Sequence, residues 1–128
     1  MDRLFLDASI LFSAAYRPDA GLRRLWRLPG ATLITSTYAS LEAHRNLNDK
    51  QSADLDILLR DVEVKDLIPT AHLIEELPDK DRPILIAAVG AKATHLITGD
   101  ITHFGALFGR KLKGVLILSP ADYLSKRR

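Results

Sequence analysis

Short apolar runs alternate along this chain with stretches whose apolar side chains recur every three or four residues, the two periods that distinguish buried strands from helices. Leu4-Phe5-Leu6 reads as a buried strand ending in the small polar group Asp7-Ala8-Ser9, with a helix from Ile10 to Ala15 behind it. Beyond the breaker Arg17-Pro18-Asp19, residues Leu22, Leu25, Trp26 and Leu28 fall at helical spacing with Arg23, Arg24 and Arg27 opposite them, until Pro29-Gly30 stops the helix. Ala31 to Thr35 is a second apolar run, and Ser36 or Thr37 can cap a helix from Tyr38 to Leu47 that carries Glu42. Asn46, Asn48 and Asp49 mark a turn, Ala53 to Leu59 has helical period again, and Val62 to Leu67 reads as a short strand. A brief helix is predicted over Ala71 to Leu77, then a buried alanine-rich helix over Ile84 to Ala93. Pro83 belongs in the first turn of that helix because it lacks an amide to donate, which puts Asp81 at or beside the N-cap. His95 to Thr98 forms a strand ending in Gly99-Asp100, Val115 to Leu118 is the last strand, and Ser119-Pro120 opens a closing helix through Leu124. Lys126-Arg127-Arg128 reads as a charged tail.

Strands separated by helices in this way imply an α/β fold, a parallel sheet of five strands covered on both faces and joined by right-handed crossovers. The pattern leaves the strand order open. In the order 3-2-1-4-5 the direction reverses between strands one and four, whose carboxyl ends carry Asp7 and Asp100, and ligands collect at such a reversal.

Length and composition narrow the class. At 128 residues the chain fits a single domain spanning 1–128, and 47% hydrophobic with 27% charged residues describes a globular protein. Its apolar runs are too short to span a bilayer, and charge interrupts Met1 to Asp7 too early for a secretory core, so a cytoplasmic location is the default expectation. The absence of cysteine excludes disulfides, thiolate metal sites and a cysteine nucleophile. A net charge of +2 is too small to argue for a nucleic-acid partner by itself.

Candidate chemistry resides in the acids. Asp7, Glu42, Asp81 and Asp100 each fall at or near a predicted passage from strand to helix. Carboxylates that converge raise one another's pKa unless a cation neutralises them, and oxygen-only donor sets suit Mg2+ or Mn2+. Such an ion acidifies a bound water and leaves positions for phosphate oxygens, which is the design phosphodiester hydrolysis needs. Ser9 and Thr98, beside Asp7 and Asp100, can hold a water or a phosphate oxygen, and Arg82 is the basic residue nearest a proposed ligand in sequence, a candidate phosphate contact. Arg23, Arg24 and Arg27, or Arg110, Lys111 and Lys113, offer further phosphate contacts, although solvated faces explain them equally well. Each acid also has a structural explanation: Asp81 a helix cap, Glu42 a partner of Arg45 or His44, Asp100 a turn residue. Asp7 is hardest to explain that way, because it ends an apolar strand with no obvious basic neighbour. Asp79 is expected to be solvated, Trp26 to be core or a dimer contact, and His44, His72, His95 and His103, which lack metal-ligand spacing, to be surface or packing residues.

With these motifs the chain resembles the PIN-domain family, including the ribonuclease toxins of VapC-like toxin–antitoxin pairs. Leu6-Asp7-Ala8-Ser9 is similar to the family's first acid motif, Ser40-Leu41-Glu42 to its helical glutamate, Lys80-Asp81-Arg82-Pro83-Ile84-Leu85 to its third acid, and Thr98-Gly99-Asp100 to its fourth. The resemblance runs nearly end to end. It implies a three-layer α/β/α sandwich, cleavage of RNA with Mg2+ or Mn2+ to leave a 5′-phosphate, a homodimer and, for toxin members, a protein antitoxin. The chain departs from the family at His103, where many members carry another acid. Alternatives are a PIN-like module that binds RNA or protein without cutting, and a receiver domain. The receiver lacks support because Ala8-Ser9 and Ser119-Pro120 do not supply its paired acids and lysine, and Ser9 likewise argues against a phosphatase with paired aspartates.

Overall fold

The computed structural model of the chain describes residues 1–17, 21–66 and 82–127, with the side chains of Arg82 and Pro83 outside that description. Strands β1 (Asp2–Leu6), β2 (Ala31–Ser36), β3 (Glu63–Lys65), β4 (His95–Ile97), β5 (Lys111–Leu112) and β6 (Val115–Leu118) form one sheet in the order β3-β2-β1-β4-β6-β5. The central five pair in parallel, and β5 adds an antiparallel edge to β6. The expected order 3-2-1-4-5 therefore holds for the parallel strands, with a sixth strand added. The added hairpin turns through Lys113 (φ 50) and Gly114 (φ 85), and positive φ at both central residues gives the turn whose twist matches its strands.

Burial on both faces explains why the central strands are apolar throughout rather than alternating. Leu4, Phe5 and Leu6 of β1, and Leu96 and Ile97 of β4, are fully buried. Helices α1 (Ala8–Tyr16), α2 (Thr37–His44) and α3 (Asp49–Leu59) pack on one another, whereas α4 (Arg82–Gly90) lies against β2 and β4. Right-handed crossovers require this separation: the chain winds outward from β1 to β3, then returns past β1 to β4 in the opposite direction. Ile84 through Ala88 are all buried, so α4 is apolar all round, as a helix covered on every side should be. Pro83 stands in the first turn of α4 as its missing amide demands. Short helices α5 (Ile101–Phe104) and α6 (Pro120–Lys126) follow β4 and β6.

Two expectations change, and a third, Trp26 as a core residue, is borne out. Gly21–Arg27 is a 3-10 rather than an α-helix, and within it Arg23 donates to the Ala14 carbonyl at 2.8 Å in the last turn of α1. Trp26 packs on the core and donates to the Leu58 carbonyl at 3.0 Å, so the chain itself uses that ring. Arg127 is no solvated tail: it bonds the Asp2 carboxylate at 3.3 Å, the Tyr123 hydroxyl at 3.1 Å and the Pro29 carbonyl. The expected helix over Ala71 to Leu77, together with His72, Asp79 and Asp81, lies outside the described residues. No helix among the described residues is long and apolar enough to cross a membrane.

Candidate active site

The order in which the chain lays down its strands reverses between the parallel neighbours β1 and β4, and polar residues follow both strands there. Asp7 follows β1 directly. Its N–H donates to the Ile97 carbonyl at 3.1 Å, continuing the ladder, and its side chain caps α1 by accepting from the Ala8 N–H at 2.7 Å. Thr98 continues β4 in the same manner, its N–H donating to the Leu118 carbonyl at 3.1 Å. Asp100 caps α5, accepting from the His103 N–H at 3.1 Å. Glu42 comes from α2, which Ser36 starts by accepting from the Ala39 N–H at 3.1 Å.

Two hydroxyls join the strand ends around Asp7. Thr98 Oγ1 donates to Asp7 Oδ2 at 2.7 Å and accepts from the Asp100 N–H at 3.0 Å. Ser9 Oγ donates to the same oxygen at 3.1 Å and accepts from the Gly99 N–H at 3.1 Å. The sequence expectation gave these hydroxyls to a water or a phosphate oxygen; here both protons are directed at Asp7. The Asp7 residue is only 5% exposed and makes no ion pair with any described residue. Desolvation pushes its carboxyl above the ordinary value; the hydroxyls and the cap offset part of that rise, and the charge of Asp100 adds to it.

Glu42 stands at the mouth of the same cleft. Partial desolvation and the nearby charge of Asp7 raise its pKa, opposed by Arg45. Arg45 acts on it only at a distance, so the structural alternative of a Glu42–Arg45 ion pair is not found, and His44 instead pairs with Asp56 of α3 at 3.1 Å. For Asp100 burial works to raise the pKa, but hydrogen bonds from the His103 ring and backbone outweigh it and hold the carboxyl below its usual value. The His103 Nδ1 to Asp100 Oδ2 distance is 2.5 Å.

Asp7, Ser9, Glu42, Asp100 and His103 thus line one open cleft of about 460 Å3, walled by Phe12, Tyr38, Ile84 and Phe104. His103, expected as a surface or packing residue, is in this cleft. The signal for it was its place three residues after the N-cap Asp100, where a side chain folds back toward the cap. Tyr38 and Phe12 gave no comparable signal, since apolar helical positions usually face a core. Asp81 lies outside the described residues, as does the side chain of Arg82, so the cleft is drawn from three of the four expected acids.

The donor chemistry suits a hard divalent cation: carboxylate oxygens, no sulfur, and a buried negative charge without a cationic partner among the described residues. Proximity is looser than the chemistry. Among the described residues no three His, Asp or Glu side chains stand close enough to hold one ion by themselves.

No protein-family model and no curated protein matches the sequence. Solved structures do match in fold. VapBC2 from Rickettsia felis, bound to a DNA fragment from its promoter, superposes with a TM-score of 0.63 at 20% identity, over 91% of this chain and 98% of the other. VapBC-1 from nontypeable Haemophilus influenzae gives 0.61 at 15% identity, over 93% and 98%. VapC20 from Mycobacterium tuberculosis, a toxin that cleaves the sarcin-ricin loop, gives 0.55 at 14% identity, over 80% and 94%. The α/β sheet with its reversal at β1 and β4, the helices on either side and these superpositions together give the chain the PIN fold of the VapC toxins.

Proposed function

We propose that the chain is a PIN-family endoribonuclease that hydrolyses RNA phosphodiester bonds with Mg2+ or Mn2+, and that it acts as the toxin of a toxin–antitoxin pair. The observation that carries this reading is Asp7: a buried carboxylate with a raised pKa, held among the described residues by neutral donors alone, facing Glu42 and Asp100 across a cleft at the reversal of a parallel sheet. Asp7, Glu42 and Asp100 would hold the ion, with Asp81 as the fourth ligand. A bound ion supplies neutralisation of the phosphate and an acidified water. The protein's own residues do the rest. Ser9 and Thr98 fix Asp7 Oδ2, His103 fixes Asp100, and the raised pKa of Glu42 suits its carboxylate oxygens to accept a proton from the attacking water. Arg82 is the proposed phosphate contact.

The likeness to the VapBC complexes supports a protein antitoxin as partner, and the family resemblance adds a homodimer. Incubating the protein with a mixed RNA pool, with and without Mn2+, and sequencing the ends tests the reading. It predicts discrete ends bearing 5′-phosphates in the presence of Mn2+ only; an unaltered pool under both conditions counts against it.

A binding module that does not cut is the second reading. The engagement of Asp100 by His103, and the lack of a three-ligand cluster among the described residues, favour it. It predicts that the intact RNA pool is retained with no response to millimolar Mn2+.

A further inference from the structure

The three carboxylates of the cleft do not offer an ion the same number of unused oxygens. A carboxylate has about four acceptor positions. Asp7 accepts three hydrogen bonds, from the Ala8 N–H at Oδ1 and from the Ser9 and Thr98 hydroxyls at Oδ2, which leaves room for a bond to a single ion. Asp100 has both oxygens engaged by one residue: Oδ1 accepts from the His103 N–H at 3.1 Å, and Oδ2 lies 2.5 Å from the ring nitrogen Nδ1 of the same histidine. Asp100 is ionised at neutral pH and has no proton to give, so Nδ1 is the donor. Glu42 makes no hydrogen bond to any described residue, and after burial the charge that most raises its pKa is that of Asp7, ahead of Asp100. The unused acceptor capacity therefore lies with Asp7 and Glu42, whereas a ring fills the Asp100 side.

Resting on the reading of the cleft as a nuclease's ion site, we infer that His103 makes it a site for one divalent ion, by occupying the Asp100 oxygen that a second ion would need. Two ions that act together on one phosphate sit about 4 Å apart and repel each other, so they stay only where surplus carboxylate lies between and beside them. Asp7 has a single acceptor position left and cannot bridge them. Glu42 can, but the second ion would then need Asp100 as its other anchor in the described cleft. There it competes with the Nδ1 hydrogen for Oδ2, and the ring is tethered three residues from Asp100 across the first turn of α5, so the competitor is always at hand. Asp100 keeps its remaining lone pairs for the first ion or its water.

The test counts the Mn2+ bound by chelator-treated protein from the electron paramagnetic resonance of the free ion, with the Asp7→Asn/Asp100→Asn double variant measuring ions held elsewhere on the surface. Above that background the wild type should bind one equivalent. His103→Asp, which removes the ring donor and adds a carboxylate, should bind two. His103→Glu makes the same change with a longer reach and replaces the aspartate variant if melting shows that one unfolded; the wild-type count stands without either. A purely structural His103 would move the melting temperature and leave the count at one. Two equivalents in the wild type overturn the inference and leave the nuclease reading intact, as does a count of one in every folded His103 variant. One equivalent in the wild type and two in the variant, with no RNA cut, keeps the inference and removes the nuclease reading. No bound ion in the wild type overturns both.

Discussion

Asp2 and Asp7 stand at opposite ends of β1, and their surroundings differ in sign. Asp2, at the amino end of the sheet, accepts from the Tyr123 hydroxyl at 2.6 Å and from Arg127 at 3.3 Å. The Tyr123 bond, then the charges of His95 and Arg127, hold its pKa below the ordinary value against a smaller effect of burial, while burial first and the Asp2 bond second push Tyr123 up to about 12. Asp7, at the carboxyl end, is more deeply buried and receives only neutral donors among the described residues, so burial dominates and its pKa rises. One carboxylate is neutralised within the fold and closes the chain by joining its first strand to its last helix. The other meets no cation among the described residues, and a buried carboxylate ionises only with difficulty unless something brings the opposite charge.

Substitutions at the two ends should separate these roles, starting with the largest effect. Asp7→Asn should lower RNA cleavage by about a hundredfold or more, the loss expected when several kcal/mol of metal-assisted stabilisation disappears, while the melting temperature stays equal or rises. A cleavage assay beside a thermal melt checks both. Thr98→Val keeps the buried shape but removes the hydroxyl that joins Asp7 to the Asp100 N–H, and should reduce cleavage by roughly tenfold, in the range typical of groups that orient a metal ligand. Asp2→Asn should do the reverse of Asp7→Asn: cleavage per folded molecule unchanged, with stability lower by about 1–2 kcal/mol in urea unfolding. An Asp2 variant that folds normally and loses activity would erase the distinction between the two ends.

The pH dependence of stability has opposite signs at the two sites. A carboxyl raised in the folded state binds more protons folded than unfolded, so Asp7 makes stability fall as pH rises from 3.8 through its folded pKa. A carboxyl lowered in the folded state does the opposite: the contribution of Asp2 is present above 3.8 and is lost as pH falls through its folded pKa. Urea midpoints in chelator-treated protein should therefore show a loss of stability as pH rises above 3.8 that shrinks in Asp7→Asn, where the raised Glu42 carboxyl still contributes, and persists in Asp2→Asn.

The carboxyl end of the sheet was largely legible in the sequence, the amino end much less. Asp7 had to be unusual because it ends an apolar strand without a basic neighbour, and that inference needed only local residues. Ser9 and Thr98 were legible for the same reason, as hydroxyls adjacent to acids on strand ends. The Asp2–Arg127 pair joins residues from the two ends of the chain, and no local period reports such a contact. The 3-10 helix at Gly21–Arg27 was misread because periods of 3.0 and 3.6 barely diverge over seven residues. Strand β5 is two residues long, too short for any alternation, and only Lys113-Gly114 hinted at its turn. The aromatic wall was hidden by a different ambiguity: a ring at a helical position reads as core until the neighbouring helix is known to leave it open.

Titration of chelator-treated protein with Mn2+, followed by thermal melting, tests most directly whether Asp7 holds charge for a cation. Saturable stabilisation is expected in the wild type and in Asp2→Asn and should be absent in Asp7→Asn. The same rise in all three proteins, or in none of them, would contradict it.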